Sequence, residues 1–426
     1  MPAQQRFAHP PTRTALAAAL LGMVCLPAAA TNGMNLEAYG AKAGAMGGAS
    51  FAHENGNSAM MNNPATLGLR KDGSNIGVGL TLLMPDVNTS MNHPLAGPMS
   101  AKSGGDRYWM PSISYVRKSG AFTYGVGMLA QGGMGTEYGN NSFLSNGTGM
   151  PMRSEVGFGR LMAPLAYNVN SDLTVAGQID YVWAGMDVQM LTPDGSGNHV
   201  NFSNSNDFTG KASGNGWAFK LGAHYKASDT LSFGATYHSK TDISDLEGDG
   251  TFTMGGTAIP TRFKVVDFQW PETYGVGVAW QATPQVMLAA DIKHLGWKKS
   301  MKDFRLAMNM GSGWMDMAMP QNWKDQTVIM IGGQYMLKPG LALRAGYNYA
   351  KNPVPDETLN PLFPATVQSH YTLGVGWNIG GGHTVAGSVA FVPKVTRTNP
   401  NMFGVGMAGT VSHSQTTLRM NYNYSF

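Results

Sequence analysis

The chain ends Arg419-Met420-Asn421-Tyr422-Asn423-Tyr424-Ser425-Phe426. Met420, Tyr422, Tyr424 and Phe426 alternate with Arg419, Asn421, Asn423 and Ser425. A period of two places the apolar residues on one face of a strand and the polar ones on the other. A final strand closing on an aromatic residue has the form of the signal that outer-membrane barrels offer to their assembly machinery, and Phe426 stands in that place. A soluble sandwich could also end in a strand, with its apolar face inward.

Outward from this end the alternation recurs. Leu341, Leu343, Ala345, Tyr347 and Tyr349 oppose Ala342, Arg344, Gly346 and Asn348, and Tyr274, Val276, Val278 and Trp280 oppose Thr273, Gly275, Gly277 and Ala279. Aromatics cluster near strand ends, as in a membrane girdle. Composition agrees. Charged residues are 13% of 426, hydrophobic residues 43%, aromatics 10%, and mean hydropathy is -0.16. These values exclude a bundle of apolar helices, each needing about 20 apolar residues in a row, and argue against disorder. The expected fold class is all-β: a transmembrane antiparallel barrel of about fourteen strands.

Residues 1-30 read as a signal peptide, with Arg6 and Arg13 before an apolar stretch and Ala28-Ala29-Ala30 at the cleavage site. Cys25 is the only cysteine and would leave with it. The mature chain is therefore expected to hold no disulfide, thiolate metal site or cofactor, and a net charge of only +4 over the full sequence gives no support for nucleic-acid binding. Residues 74-426 form the expected barrel. Short turns such as Lys118-Ser119-Gly120 and Lys338-Pro339-Gly340 alternate with long polar connections near 85-106, 132-152, 190-211, 240-271, 297-325, 351-366 and 397-411. Residues 31-73 do not alternate and are rich in Gly, Ala and Met, which predicts a compact plug of short helices and turns within the barrel.

The stretch Gly33-Met34-Asn35 through Asn63-Pro64-Ala65 resembles the N-terminal hatch of the FadL family of outer-membrane transporters for long-chain fatty acids and hydrocarbons. Trp270-Pro271-Glu272-Thr273, Leu295-Gly296-Trp297, Gln321-Asn322-Trp323-Lys324-Asp325 and Pro353-Val354-Pro355-Asp356-Glu357 continue the resemblance in order. It implies a 14-stranded barrel, a hatch including Asn63, Pro64 and Ala65, and inward passage of hydrophobic molecules across the outer membrane of a Gram-negative bacterium. It also implies a kink in the third strand that opens a lateral portal. The run Gly132, Gly133, Gly135 suits one, since glycine within a strand marks a bulge or bend.

With the girdle face outward, the lumen side carries Phe158, Met162, Met287 and Met330 among Arg160, Lys293 and Arg344. Methionine moulds to irregular apolar ligands, and a cation would pair with a fatty-acid carboxylate. These seven are the candidate substrate-binding residues. Each cation is a stronger candidate for an ion pair with a wall or hatch carboxylate than for a ligand anchor. Met308, Met310, Trp314, Met315, Met317 and Met319 lie in one long connection, and exposed apolar patches mark binding sites. The expected partners are hydrophobic small molecules, the bilayer and lipopolysaccharide, with the barrel a monomer. The alternatives are an outer-membrane enzyme of lipase type or a general diffusion porin. No His-Glu-x-x-His or Gly-x-Ser-x-Gly pattern supports the enzyme.

Overall fold

The computed structural model describes residues 32-205, 210-402, 404 and 406-426. The expected signal peptide, 1-30, lies outside them. The 21 strands of the described sheet are numbered in chain order. They begin with β1 (Gly73–His93), β2 (Gly97–Lys102), β3 (Tyr108–Ser119), β4 (Phe122–Tyr138), β5 (Met152–Asn168), β6 (Leu173–Leu191) and β7 (His199–Phe202). There follow β8 (Ala212–Lys226), β9 (Leu231–His238), β10 (Asp242–Ile243), β11 (Leu246–Met254), β12 (Thr257–Val266), β13 (Thr273–Gln281) and β14 (Val286–Leu295). The last are β15 (Asp303–Asn309), β16 (Trp314–Pro320), β17 (Gln326–Lys338), β18 (Leu341–Ala350), β19 (Ser369–Gly380), β20 (His383–Met402) and β21 (Met407–Ser425).

β1 pairs with β3, β3 with β4, and the antiparallel ladder continues through β5, β6, β8, β9, β13, β14, β17, β18, β19, β20 and β21. β21 returns to β1, which closes the barrel. The ring that closes holds the fourteen strands just named, and the described sheet as a whole has 21 because further strands extend it beyond the ring. Several connections read as polar loops are themselves paired: the far end of β1 with β2, β7 with β6 and β11, and the β11–β12 hairpin with β15, which pairs in turn with β16. Such strands lie beyond the apolar band, so nothing forces the alternation by which the others were legible.

Sidedness follows the periodicity. Val78, Val126, Val276 and Val375, the central residues of four Gly-Val-Gly triplets, are 42-60% exposed and point outward. Their neighbours in the outer band include Tyr274, Trp280, Ile292, Leu373 and Met420. Opposite them, Val156, Phe158, Met162, Val328 and Met330 are buried inside the ring.

The segment from Asn32 to Leu69 is almost wholly buried. It holds a helix at Ala41–Gly44 and 3-10 turns at Asn57–Met60 and Pro64–Leu69. Asn63 starts the last of these: its side-chain oxygen accepts from the Ala65 amide, and Pro64 takes the first turn, where its missing N–H is no loss. The Asn63 amide also donates to the carbonyls of Phe51 and Ala223, so one side chain ties the turn to the segment and to β8. Further bonds reach strands all round the circuit. Asn421 of β21 accepts from the Ala41 amide, Thr372 of β19 from Gly47, and Gln178 of β6 donates to Met60. The segment therefore sits within the ring.

Asp291 of β14 makes a double tie, with one carboxylate oxygen accepting from the amides of Ser50 (2.6 Å) and Phe51 (2.9 Å). Asp291→Ala should weaken docking of the segment by about 2 kcal/mol. Proteolysis of the purified barrel checks this: cleavage between residues 45 and 60 should appear in the variant and not in the parent, and equal resistance would contradict it.

Candidate functional site

The ladder between β3 and β4 stops early. Its pairs run from Ser119↔Phe122 to Ile113↔Met128 and no further, although β3 starts at Tyr108 and β4 runs to Tyr138. Residues 108-112 remain paired to β1, and 129-138 remain paired to β5. A gap opens between the two strands. Residues 103-104 bridge its far end: Gly104 donates to the Glu137 carbonyl at 2.7 Å, and Glu137 donates to the Ser103 hydroxyl at 3.0 Å.

Local sequence explains the gap. Pro111 sits in the stretch of β3 that has lost β4; proline lacks the N–H a ladder needs and is confined to strand edges. On the other side, β4 carries a bulge between Ala130 and Gly132, with Gln131 the extra residue. Gly132 has φ 153°, and a Cβ there would run into the Met34 carbonyl and come within 2.9 Å of Trp270. A Cβ on Gly133 would strike the Val156 carbonyl. Both expected portal glycines thus stand where the backbone bends and nothing larger fits.

A cavity of about 630 Å³ runs through the gap. Its inner wall includes Met34, Leu36, Leu83, Val87, Tyr108, Met110, Leu129 and Phe158, while Trp109, Met128, Tyr181 and Trp183 line it on the outward face. Pro364, Ala365, His413 and Gln415 close it from the side of β21. Phe158 packs on Trp270, ring centroids 4.9 Å apart, at the edge of a buried aromatic cluster that continues through Trp297 and Trp323. The volume and the largely apolar lining are those of a small-molecule site.

Among the seven proposed substrate contacts, the structure brings only Phe158 into this cavity. Arg160 is 1% exposed and its guanidinium is taken up by Asp180 (2.7 Å) and Gln131 (2.5 Å). Lys220 joins the same carboxylate at 3.1 Å. Met162 lies beside Lys220, in the cluster that packs Met60 and Leu67 against the wall. Met330 meets Gly48 of the inner segment. Lys293 is buried on the same face as Asp291, and Arg344 donates to Gln334 at 2.8 Å. Met287 lines a separate polar pocket with Arg70, Lys118 and Asn170. Glu37 of the inner segment faces Arg419 at 2.7 Å. Burial opposes its charge, yet Arg419 and His370 hold the carboxyl below its usual range. Periodicity told inward from outward but not which inward residues face open space. Tyr108, Met110 and His413 were missed for that reason, and Pro111 was the signal that could have found the gap.

Residues 22–426 match the family model described as outer membrane protein transport protein (OMPP1/FadL/TodX). The fold is similar to the toluene transporter TodX of P. putida, with 29% identity, TM-score 0.81, and coverage of 92% of this chain and 99% of that one. The toluene transporter TbuX of Ralstonia pickettii is similar at 26% identity and TM-score 0.75, with coverage of 92% and 99%. An uncharacterized protein of Chlorobium limicola, from the 5′ region of a phosphoenolpyruvate carboxykinase gene, is 58% identical over 78 residues. That match spans 18% of this chain and 38% of the relative's length.

Arg160→Ala leaves Asp180 with Lys220 as its one cation and Gln178 as a neutral donor. It should lower barrel stability by about 3 kcal/mol, read as an earlier urea midpoint in detergent, with apolar ligand binding little changed. A selective loss of fatty-acid binding at unchanged stability would instead make Arg160 a ligand anchor.

Proposed function

Because the chain belongs to the OMPP1/FadL/TodX family of outer membrane transport proteins, we propose that it is a passive channel for small, neutral hydrophobic molecules, monoaromatic hydrocarbons above all. The molecules leave the lumen sideways, through the gap between β3 and β4. The observation that carries this reading is the cavity that passes from the buried face of Phe158 to the outward face of Trp109 and Trp183.

A lateral route suits such cargo. An apolar molecule crossing into the periplasm would meet water at a cost of about 0.8 kcal/mol per CH2, whereas an exit into the bilayer avoids it. The inner segment supports the same route. Asn32 to Leu69, with Asn63, Pro64 and Ala65 at its anchored end, fills the ring and acts as the hatch that bars direct passage. A general diffusion porin would need that space open.

Neutral cargo is favoured over fatty acid by the charge around the cavity. No Arg or Lys is among its described lining residues, and Arg160 is committed to Asp180. A carboxylate would enter such a site without a counter-ion, which is costly. Phe158, Tyr108, Trp109 and Trp183 instead offer ring faces and edges. At the outer rim, the β15–β16 hairpin presents Trp314 and Met315, 43% and 51% exposed, and Lys264 lies 4.8 Å over the Trp314 ring. This surface gathers apolar molecules from the lipopolysaccharide layer.

Ala130→Cys places a thiol in the gap. Modified with a bulky maleimide, this barrel should lose at least about tenfold of its toluene uptake in whole cells, while the unmodified variant matches the parent. Uptake indifferent to the label would remove the lateral route.

A further inference from the structure

His413 of β21 stands in the wall of the same cavity and is 6% exposed. Its Nδ1 lies 2.9 Å from the carbonyl oxygen of Pro364. A carbonyl oxygen only accepts, so Nδ1 carries the proton and donates. In the neutral ring Nε2 is then an acceptor. That nitrogen is buried and has no hydrogen-bond partner among the described residues. The wall around it is mostly apolar, with Leu83, Val87, Met110 and Ala365, and the Gln415 amide on the same face of β21 is given to the Thr417 hydroxyl. A buried acceptor left without a donor is unfavourable, and a ligand that supplies the donor removes the deficit.

We propose that His413 Nε2 is the polar contact of a substrate subsite whose ligands are phenols: a single aromatic ring held in the cavity, with its hydroxyl donating to the imidazole. The inference rests on the reading of this cavity as the transport route, and it adds the class of substrate. Phenol and toluene are nearly the same size and shape. Toluene fits the apolar walls but leaves Nε2 unpaired, whereas phenol fits them and pairs it. A site that hydrogen-bonds a hydroxyl discriminates against the analogue lacking one. A carboxylate has no proton to give to Nε2, so the same atom disfavours ionised acids.

Equilibrium dialysis of radiolabelled phenol and toluene against the full barrel in detergent, with empty micelles subtracted, tests this. His413→Asn is the informative variant. Its amide still donates to Pro364 but places no acceptor where Nε2 stood. Phenol affinity should fall about tenfold while toluene affinity stays within about twofold. His413→Leu, which also loses the Pro364 bond, should show the same loss for phenol. Equal losses for both ligands, or an unchanged phenol affinity in His413→Asn, would overturn the proposal while leaving the transport reading standing. A parent barrel that binds neither ligand above the micelle blank would overturn both.

Discussion

In a bilayer every backbone N–H and C=O must find its partner within the protein, and a barrel meets that demand only by closing on itself. The circuit from β1 to β21 and back closes in this way, with a long interruption at the seam of β3 and β4. Between β3 and β4 the ladder ends at Ile113↔Met128, and from there β1 is the one wall strand beside β3 and β5 the one wall strand beside β4. The consequences for function follow from that interruption. It is maintained by residues that do not suit a seam: a proline with no N–H to give, a bulge at Gln131, and two glycines whose neighbours leave no room for a side chain. The strands are kept apart without being frayed, because residues 103-104 bridge to Glu137 beyond the gap.

The inner segment and the gap are one arrangement. Asn35 forms a bridge with Gly132, and Gly133 donates to the Met34 carbonyl at 3.2 Å. Backbone groups of β4 that have lost β3 thus find part of their pairing on the segment inside. The segment is in turn tied by Asp291, Asn421, Thr372 and Asn63 to strands on several sides. Buried ion pairs such as Glu37–Arg419 and Arg160–Asp180 span segment and wall or strand and strand. Such pairs contribute little net stability but are costly to break, so they define one arrangement against its alternatives.

Much of the barrel was legible from alternation alone, because lipid outside and a packed interior impose opposite chemistry on successive residues. Val276 and Val375 outside, with Phe158 and Met330 inside, stand where the period of two places them. The paired outer strands β11, β12, β15 and β16 were not legible, since beyond the lipid band neither face need be apolar. In the site, the glycines of β4 were informative because a bend demands them. The role of Arg160 was not, because a lumen-side cation reads the same whether it faces a ligand or Asp180; only the 2.7 Å separation distinguishes them. His413 was hidden for a related reason. What singles it out is an acceptor left over after Pro364 takes the ring's proton, and that depends on a contact 49 residues away in sequence.

The central claim is that apolar molecules pass through the wall between β3 and β4. Anomalous diffraction from crystals soaked in iodobenzene tests it most directly. The account predicts iodine peaks beside Phe158 and again on the outward side, between Met128 and Trp109. Peaks confined to the pocket formed by Arg70, Lys118 and Asn170, with none in the gap, would contradict it.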